Sequence, residues 1–200
     1  MNRLLAALLC AAIIGFAGIS GCGHPISAQP AAADPAVKEN AAAGPNTADA
    51  VSLKLLDDAG LERLIAGDRG KVVVIDAWST ACPPCVRDFP KLVEFHRRFA
   101  GKRVACISLS FDYEGFGRPE DNLPRVLDFL RQKKATFDNV LSSEDSDAMY
   151  KKLGIASVPT VLVYDQQGKL RERLEEAAED SPERPLYDRV EGLVTKLLAE

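Results

Sequence analysis

Histidine is scarce, with only His24 and His96 in 200 residues, and there are five cysteines. His-rich metal sites and four-cysteine zinc clusters cannot be assembled from this inventory without contrivance. Tryptophan occurs once, at Trp78. There is no excess of positive charge: 25 Lys and Arg stand against 29 Asp and Glu, for a net charge of −4. The chain therefore lacks an electrostatic footprint for a phosphate backbone, and nucleic acid is set aside as a partner. The apolar run from Leu4 to Ile19 stops at 16 residues, short of the about 20 that a bilayer-spanning helix needs. What remains is ordinary globular material, 46% hydrophobic and 27% charged, in a length suited to one core.

The first residues read as an address. Arg3 gives a positive start, the uncharged run follows, and small residues come at Ser20 and Gly21, which is the plan of a signal peptide over residues 1–21. Ile19-Ser20-Gly21-Cys22 resembles the bacterial lipobox, in which the cysteine becomes the lipidated first residue of the mature protein. Ordinary cleavage beside an unmodified Cys22 is the other reading. Gly23 to Ala50 holds ten Ala, four Pro and no aromatic. Such a segment builds no core, so residues 22–50 are expected to be a lipidated terminus and flexible tether. The folded domain is expected over residues 51–200.

Within that domain, Lys71 to Trp78 has Val-Val-Val-Ile at its centre, a continuous β-branched run suited to a strand buried on both faces. Arg103 to Ser110 reads as a second buried strand and Phe137 to Leu141 as a short one. Helical spacing is seen from Asp57 to Ala66, through Phe89, Leu92, Val93, Phe95 and Phe99, over Leu123 to Lys134, and from Asp145 to Leu153. Thr160 to Tyr164 and Lys169 to Leu174 flank a turn and read as a hairpin. Leu186, Val190, Leu193, Val194 and Leu197 then share one helical face. Strands alternating with helices make this an α/β layer fold.

The chemistry centres on Cys82-Pro83-Pro84-Cys85, between a buried strand and a helix start. One such pair without a second pair or a nearby His is too few ligands for zinc. A permanent structural disulfide and a redox pair both fit the spacing. As an N-cap, Cys82 would lie at the positive end of a helix, where a thiolate is stabilised and its pKa falls below about 8.5. Pro83 and Pro84 suit the first two helical positions, whose N–H groups have no intrahelical partner. Cys82 is then the nucleophile and Cys85 the resolving thiol. Asp76 stands on an otherwise apolar strand. Buried there, with a raised pKa, it could take the proton from Cys85; at an exposed strand end it would only cap a turn. Cys106 lies mid-strand and reads as a buried, inert thiol.

These residues resemble the thioredoxin superfamily, and more closely its TlpA/ResA-like membrane-anchored branch. The matching stretches are Val74 to Cys85, Phe89-Pro90, and Gly154-Ile155-Ala156-Ser157-Val158-Pro159-Thr160. The resemblance implies a three-layer fold, a central mixed β-sheet with helices on both faces, and an insertion at roughly Phe111 to Phe137. It assigns Cys82, Cys85 and Asp76 to catalysis and makes Pro159 a cis-proline whose loop presents the Val158 backbone to substrate. Trp78 is placed with Val158 and Pro159 on the substrate face, with packing over the acid as its other reading. Ala81 departs from the family pattern, which has Trp before the first Cys.

The function expected is an extracytoplasmic thiol–disulfide oxidoreductase that reduces protein disulfides, anchored to a lipid bilayer and fed by a membrane electron donor. Apocytochrome c is one client of the kind the resemblance implies. No cofactor or metal is expected. The alternative is a non-catalytic thioredoxin-like module that binds an extracytoplasmic protein, with its cysteines locked as a bridge.

Overall fold

The computed structural model describes residues 50–176 and 185–200. The signal peptide expected over 1–21, the lipidation expected at Cys22 and the tether expected before Ala50 fall outside the described residues. Among the described residues, no helix is long and apolar enough to cross a membrane.

The elements are β1 (Lys54–Leu56), α1 (Asp58–Gly67), β2 (Val72–Trp78), α2 (Pro83–Phe99), β3 (Val104–Ser110), α3 (Leu123–Lys133), β4 (Asp138–Ser142), α4 (Ser146–Leu153), β5 (Thr160–Tyr164), β6 (Leu170–Glu175) and α5 (Leu186–Ala199). The six strands form one sheet in the order β1-β4-β3-β2-β5-β6. β1, β4, β3 and β2 run parallel, while β5 and β6 are antiparallel additions on the other side of β2. β2 is thus central, and all seven of its residues are buried, as its unbroken apolar run requires.

Side chains alternate across a strand, and β2 feeds two cores. Val72, Val74 and Trp78 join residues of α2, α3 and α5 on one face. Val73, Ile75 and Ala77 join Leu61 and Ile65 of α1 and Met149 and Leu153 of α4 on the other. Asp76 follows the parity of Val74 and Trp78, so its carboxyl points to the α2/α5 face.

The helices expected from spacing all form, with ends shifted by a residue or two where side chains cap them. Asp57 accepts from the Gly60 N–H, and Asp145 from the Ala148 N–H. β1 was not expected: a three-residue strand with the pattern exposed, half-buried, half-buried carries too little periodicity to read. The segment expected as an insertion folds as a 3-10 turn at Pro119–Asn122 followed by α3, and leads into β4. β4 then pairs between β1 and β3. Gly154, at φ 63°, ends α4 with a left-handed turn. A side chain there would meet the Arg173 guanidinium, which itself donates to the Leu153 carbonyl at 2.7 Å. The chain is thereby steered into the loop that carries Val158 and Pro159.

Candidate active site

Parallel strands deliver their C-terminal ends to one edge of the sheet, where loops between strands and helices gather. β2 ends at Trp78, and Cys82 caps α2 with extended backbone, φ −100° and ψ 102°. Pro83 and Pro84 fill the first two helical positions, so the double proline opens the helix. Cys82 and Cys85 are joined by a disulfide. The Cys85 N–H lies 3.3 Å from Cys82 Sγ and donates to it, so the sulfur performs the capping role that an oxygen usually fills. Cys82 is partly exposed and Cys85 is buried, the asymmetry expected of an attacking and a resolving thiol.

The Val158–Pro159 bond is cis, and Cys82 Sγ sits 3.7 Å from the Val158 carbonyl oxygen. Two of the stretches that the resemblance singled out therefore meet at one sulfur, with Cys82 and Val158 76 residues apart. Together with Ser79, Ala81, Phe111, Tyr150 and the acidic residues Glu114, Asp145 and Asp147, they line a groove of about 470 Å³. Phe116 also lines it and is 87% exposed. Of the aromatics in the loop after β3, Phe111 is core.

Asp76 is buried, and burial raises its pKa from 3.8 to about 7. It does not cap an exposed turn. The Tyr187 hydroxyl donates to its Oδ2 from α5. That bond favours the carboxylate, opposing the burial, while the charge of Asp88 pushes the pKa further up. Tyr187 is itself raised well above the usual phenol range by burial and by Asp76. Cys106 lies opposite Val74 in the β2–β3 register, and burial followed by the Asp76 charge pushes its thiol up to about 12. It stays protonated, in keeping with an inert thiol.

Trp78 requires a correction. Its indole is fully buried, with ring centroids 4.8 Å from Phe89 and 4.7 Å from Phe129. A side chain enclosed on all sides cannot contact substrate, and Trp78 packs the core beneath the site.

Three carboxylates or phenols escaped the sequence reading. Tyr187 is spaced three residues before Val190 and seven before Val194, so its place on the apolar face of α5 was legible, although its partner was not. Asp88, on α2, is held below the usual carboxylate range by its hydrogen bonds from Arg87, with Lys91 adding to the effect. Asp112, two residues past β3, accepts from the Thr80 N–H at 3.1 Å, the Ser110 hydroxyl at 2.6 Å and Arg125 at 3.0 Å, and also from the Thr80 hydroxyl. It holds the segment leading into Cys82 against the sheet. An Asp112→Ala chain is expected to lose about 2 kcal/mol of stability, since several buried donors lose their acceptor. Its exchange rate should fall as well, and denaturant unfolding beside a dithiothreitol-exchange assay checks both.

A disulfide that caps a helix just past the end of a central strand and faces a cis-proline loop, with a buried carboxyl on that strand, defines the thioredoxin-like class. The family profile described as Thioredoxin-like matches residues 70–170, and the chain belongs to that family. It is similar to the thiol-disulfide oxidoreductase ResA of Geobacillus thermodenitrificans, 27% identical over 117 residues, which are 58% of this chain and 62% of that protein. The sporulation thiol-disulfide oxidoreductase A of Bacillus subtilis is 24% identical over 103 residues, 52% of this chain and 58% of the relative. The chain thus spans about three-fifths of the length of these curated relatives. A solved thiol-disulfide isomerase of Corynebacterium glutamicum superposes with a TM-score of 0.55 at 22% identity, over 75% of this chain and 96% of that one, a likeness of fold.

Proposed function

We propose that this chain is an extracytoplasmic thiol–disulfide oxidoreductase that reduces disulfides of client proteins, held at a bilayer by lipid on Cys22. The observation that carries the reading is the Cys82–Cys85 disulfide at the start of α2, with its exposed sulfur against the Val158 carbonyl and its buried partner on the side of Asp76.

In the reduced state the Cys82 thiolate, favoured by the α2 N-terminus and the Cys85 N–H, attacks one sulfur of a client disulfide and expels the other as a thiolate. An extended client strand pairs with the Val158 backbone. Asp76, with a pKa of about 7, takes the Cys85 proton directly or through water. The Cys85 thiolate then attacks Cys82 Sγ, the second client sulfur leaves, and the intramolecular disulfide forms. Two electrons have passed to the client, and a membrane donor restores the dithiol. Apocytochrome c is a client of the appropriate chemistry, as are other secreted proteins with oxidised thiols.

A Cys85→Ala chain tests this. It retains the attacking sulfur and lacks the resolving one, so it is expected to accumulate client proteins bound covalently through Cys82. Non-reducing gels and mass spectrometry read the adducts, and a chain that traps nothing in cells would remove the reductase reading. Tyr187→Phe makes a finer test. Loss of the hydroxyl removes the bond that lowers the Asp76 pKa, so the pH midpoint of the resolving step should rise by about one pH unit. Rates of client release measured from pH 5 to 9 check the shift.

A further inference from the structure

The end of the domain remote from Cys82 carries a second cavity, of about 620 Å³, lined by Val51, His96, Arg97, Ala100, Arg131, Lys134 and Thr136. None of these residues is acidic. Arg97 and Lys134 are exposed and have no ion-pair partner among the described residues. Arg131 reaches Asp128 only at 3.7 Å on an open helix face. Asp138, at the start of β4, is paired with Lys54 at 2.6 Å. Basic residues in the last turn of a helix partly answer the exposed carbonyls there. Two such ends, those of α2 and α3, converge on one cavity with no carboxylate in its lining, and positive charge is left over.

The place of this cavity in the fold says what it faces. β1 begins three residues after Val51 and runs parallel to β2, at whose far end Cys82 lies. α2 then returns from Cys82 toward the cavity over 17 residues, about 25 Å at 1.5 Å per residue. The strand entrance and the cationic cavity therefore share one end of the domain, and the reactive sulfur occupies the other. Val51, the second described residue, lies in the cavity lining itself.

We infer that this face seats against anionic phospholipid headgroups, with the phosphate taken between Arg97, Arg131 and Lys134, so that the Cys82 groove points away from the bilayer. The inference rests on the membrane attachment proposed above and adds an orientation to it. Each cation near an anionic leaflet strengthens contact about fivefold, and three give roughly a hundredfold. The contact acts within a Debye length of about 8 Å at physiological salt, so it operates only when the face lies on the membrane. His96, whose pKa is lowered by burial and by Arg97, is half-buried against Phe137 and adds charge only in acid.

The test uses the full chain on vesicles of phosphatidylcholine, with and without phosphatidylglycerol, and reads amine acetylation lysine by lysine by mass spectrometry. Lys134 is expected to be labelled several-fold more slowly on the anionic vesicles, and Lys152 on α4 to be unchanged. Exchange of Arg97 and Arg131 for Glu should abolish the protection while dithiothreitol exchange at Cys82 is retained, as should salt near 1 M, where the Debye length is about 3 Å. Equal labelling of Lys134 on both vesicles to which the chain is attached would overturn the orientation and leave the attachment standing. Failure to attach to neutral vesicles would instead remove the lipid anchor, and slower labelling on anionic vesicles alone would still uphold the headgroup contact. Protection of Lys134 in detergent without any vesicle would assign the face to protein and overturn the inference.

Discussion

Replacement of Cys82 by Ser is expected to reduce disulfide exchange at least about a thousandfold, because no other sulfur among the described residues can take its place. Cys85 is buried, and Cys106 holds its proton to about pH 12. The same substitution removes the four-residue disulfide loop, which constrains the unfolded chain by only about 2 kcal/mol. Loss of activity and loss of stability should therefore separate. The oxidised wild type should exceed the variant in stability by about that amount, and the reduced wild type should match it. Insulin reduction and urea unfolding under both redox conditions check this pair of results. Substantial exchange by the variant would place the chemistry elsewhere.

Asp76→Asn carries the second large effect, and its sign depends on pH. The carboxyl has a pKa of about 7 in the folded chain against 3.8 as a free group. As pH rises, the unfolded chain ionises first, so the stability is whole below about pH 4 and declines until about pH 7. At 1.36 kcal/mol per pH unit, the decline is roughly 4 kcal/mol. Asparagine ionises in neither state, and the variant should be more stable than the wild type by up to that amount at pH 8, with no advantage at pH 3. In the reduced chain it should also slow the resolving step by about a hundredfold near neutral pH, since the group that accepts the Cys85 proton is gone. Urea unfolding across pH, with the rate of client release at Cys82, measures both. A variant with unchanged pH dependence of stability would show that Asp76 ionises freely.

The central strand and the nucleophile were legible for the same reason: each is specified locally. Val72 to Ile75 could only be a strand buried on two faces, and a cysteine before two prolines could only begin a helix. The strand pattern alone leaves open whether Asp76 is buried or caps an exposed turn. Long-range partners were not legible. Tyr187 lies 111 residues from Asp76 and Asp112 lies 32 from Thr80, and no local pattern connects such pairs. Trp78 shows the opposite failure, where a position beside the motif suggested a surface role and the packing of Phe89 and Phe129 closed it off. The short β1 went unseen because its three residues gain their strand form from β4, 86 residues later.

That pairing of Lys54 with Val140 has a bearing on how the molecule is made. A chain that emerges from its amino terminus offers β1 long before β4 exists, so this edge cannot be completed during synthesis or translocation until Ser142 has appeared. Until then β3 presents an open backbone edge, with β2 already beside it, to any neighbouring strand. Nascent chains stalled between Ser110 and Asp138 should be the species most prone to aggregate and the ones most dependent on a holding chaperone.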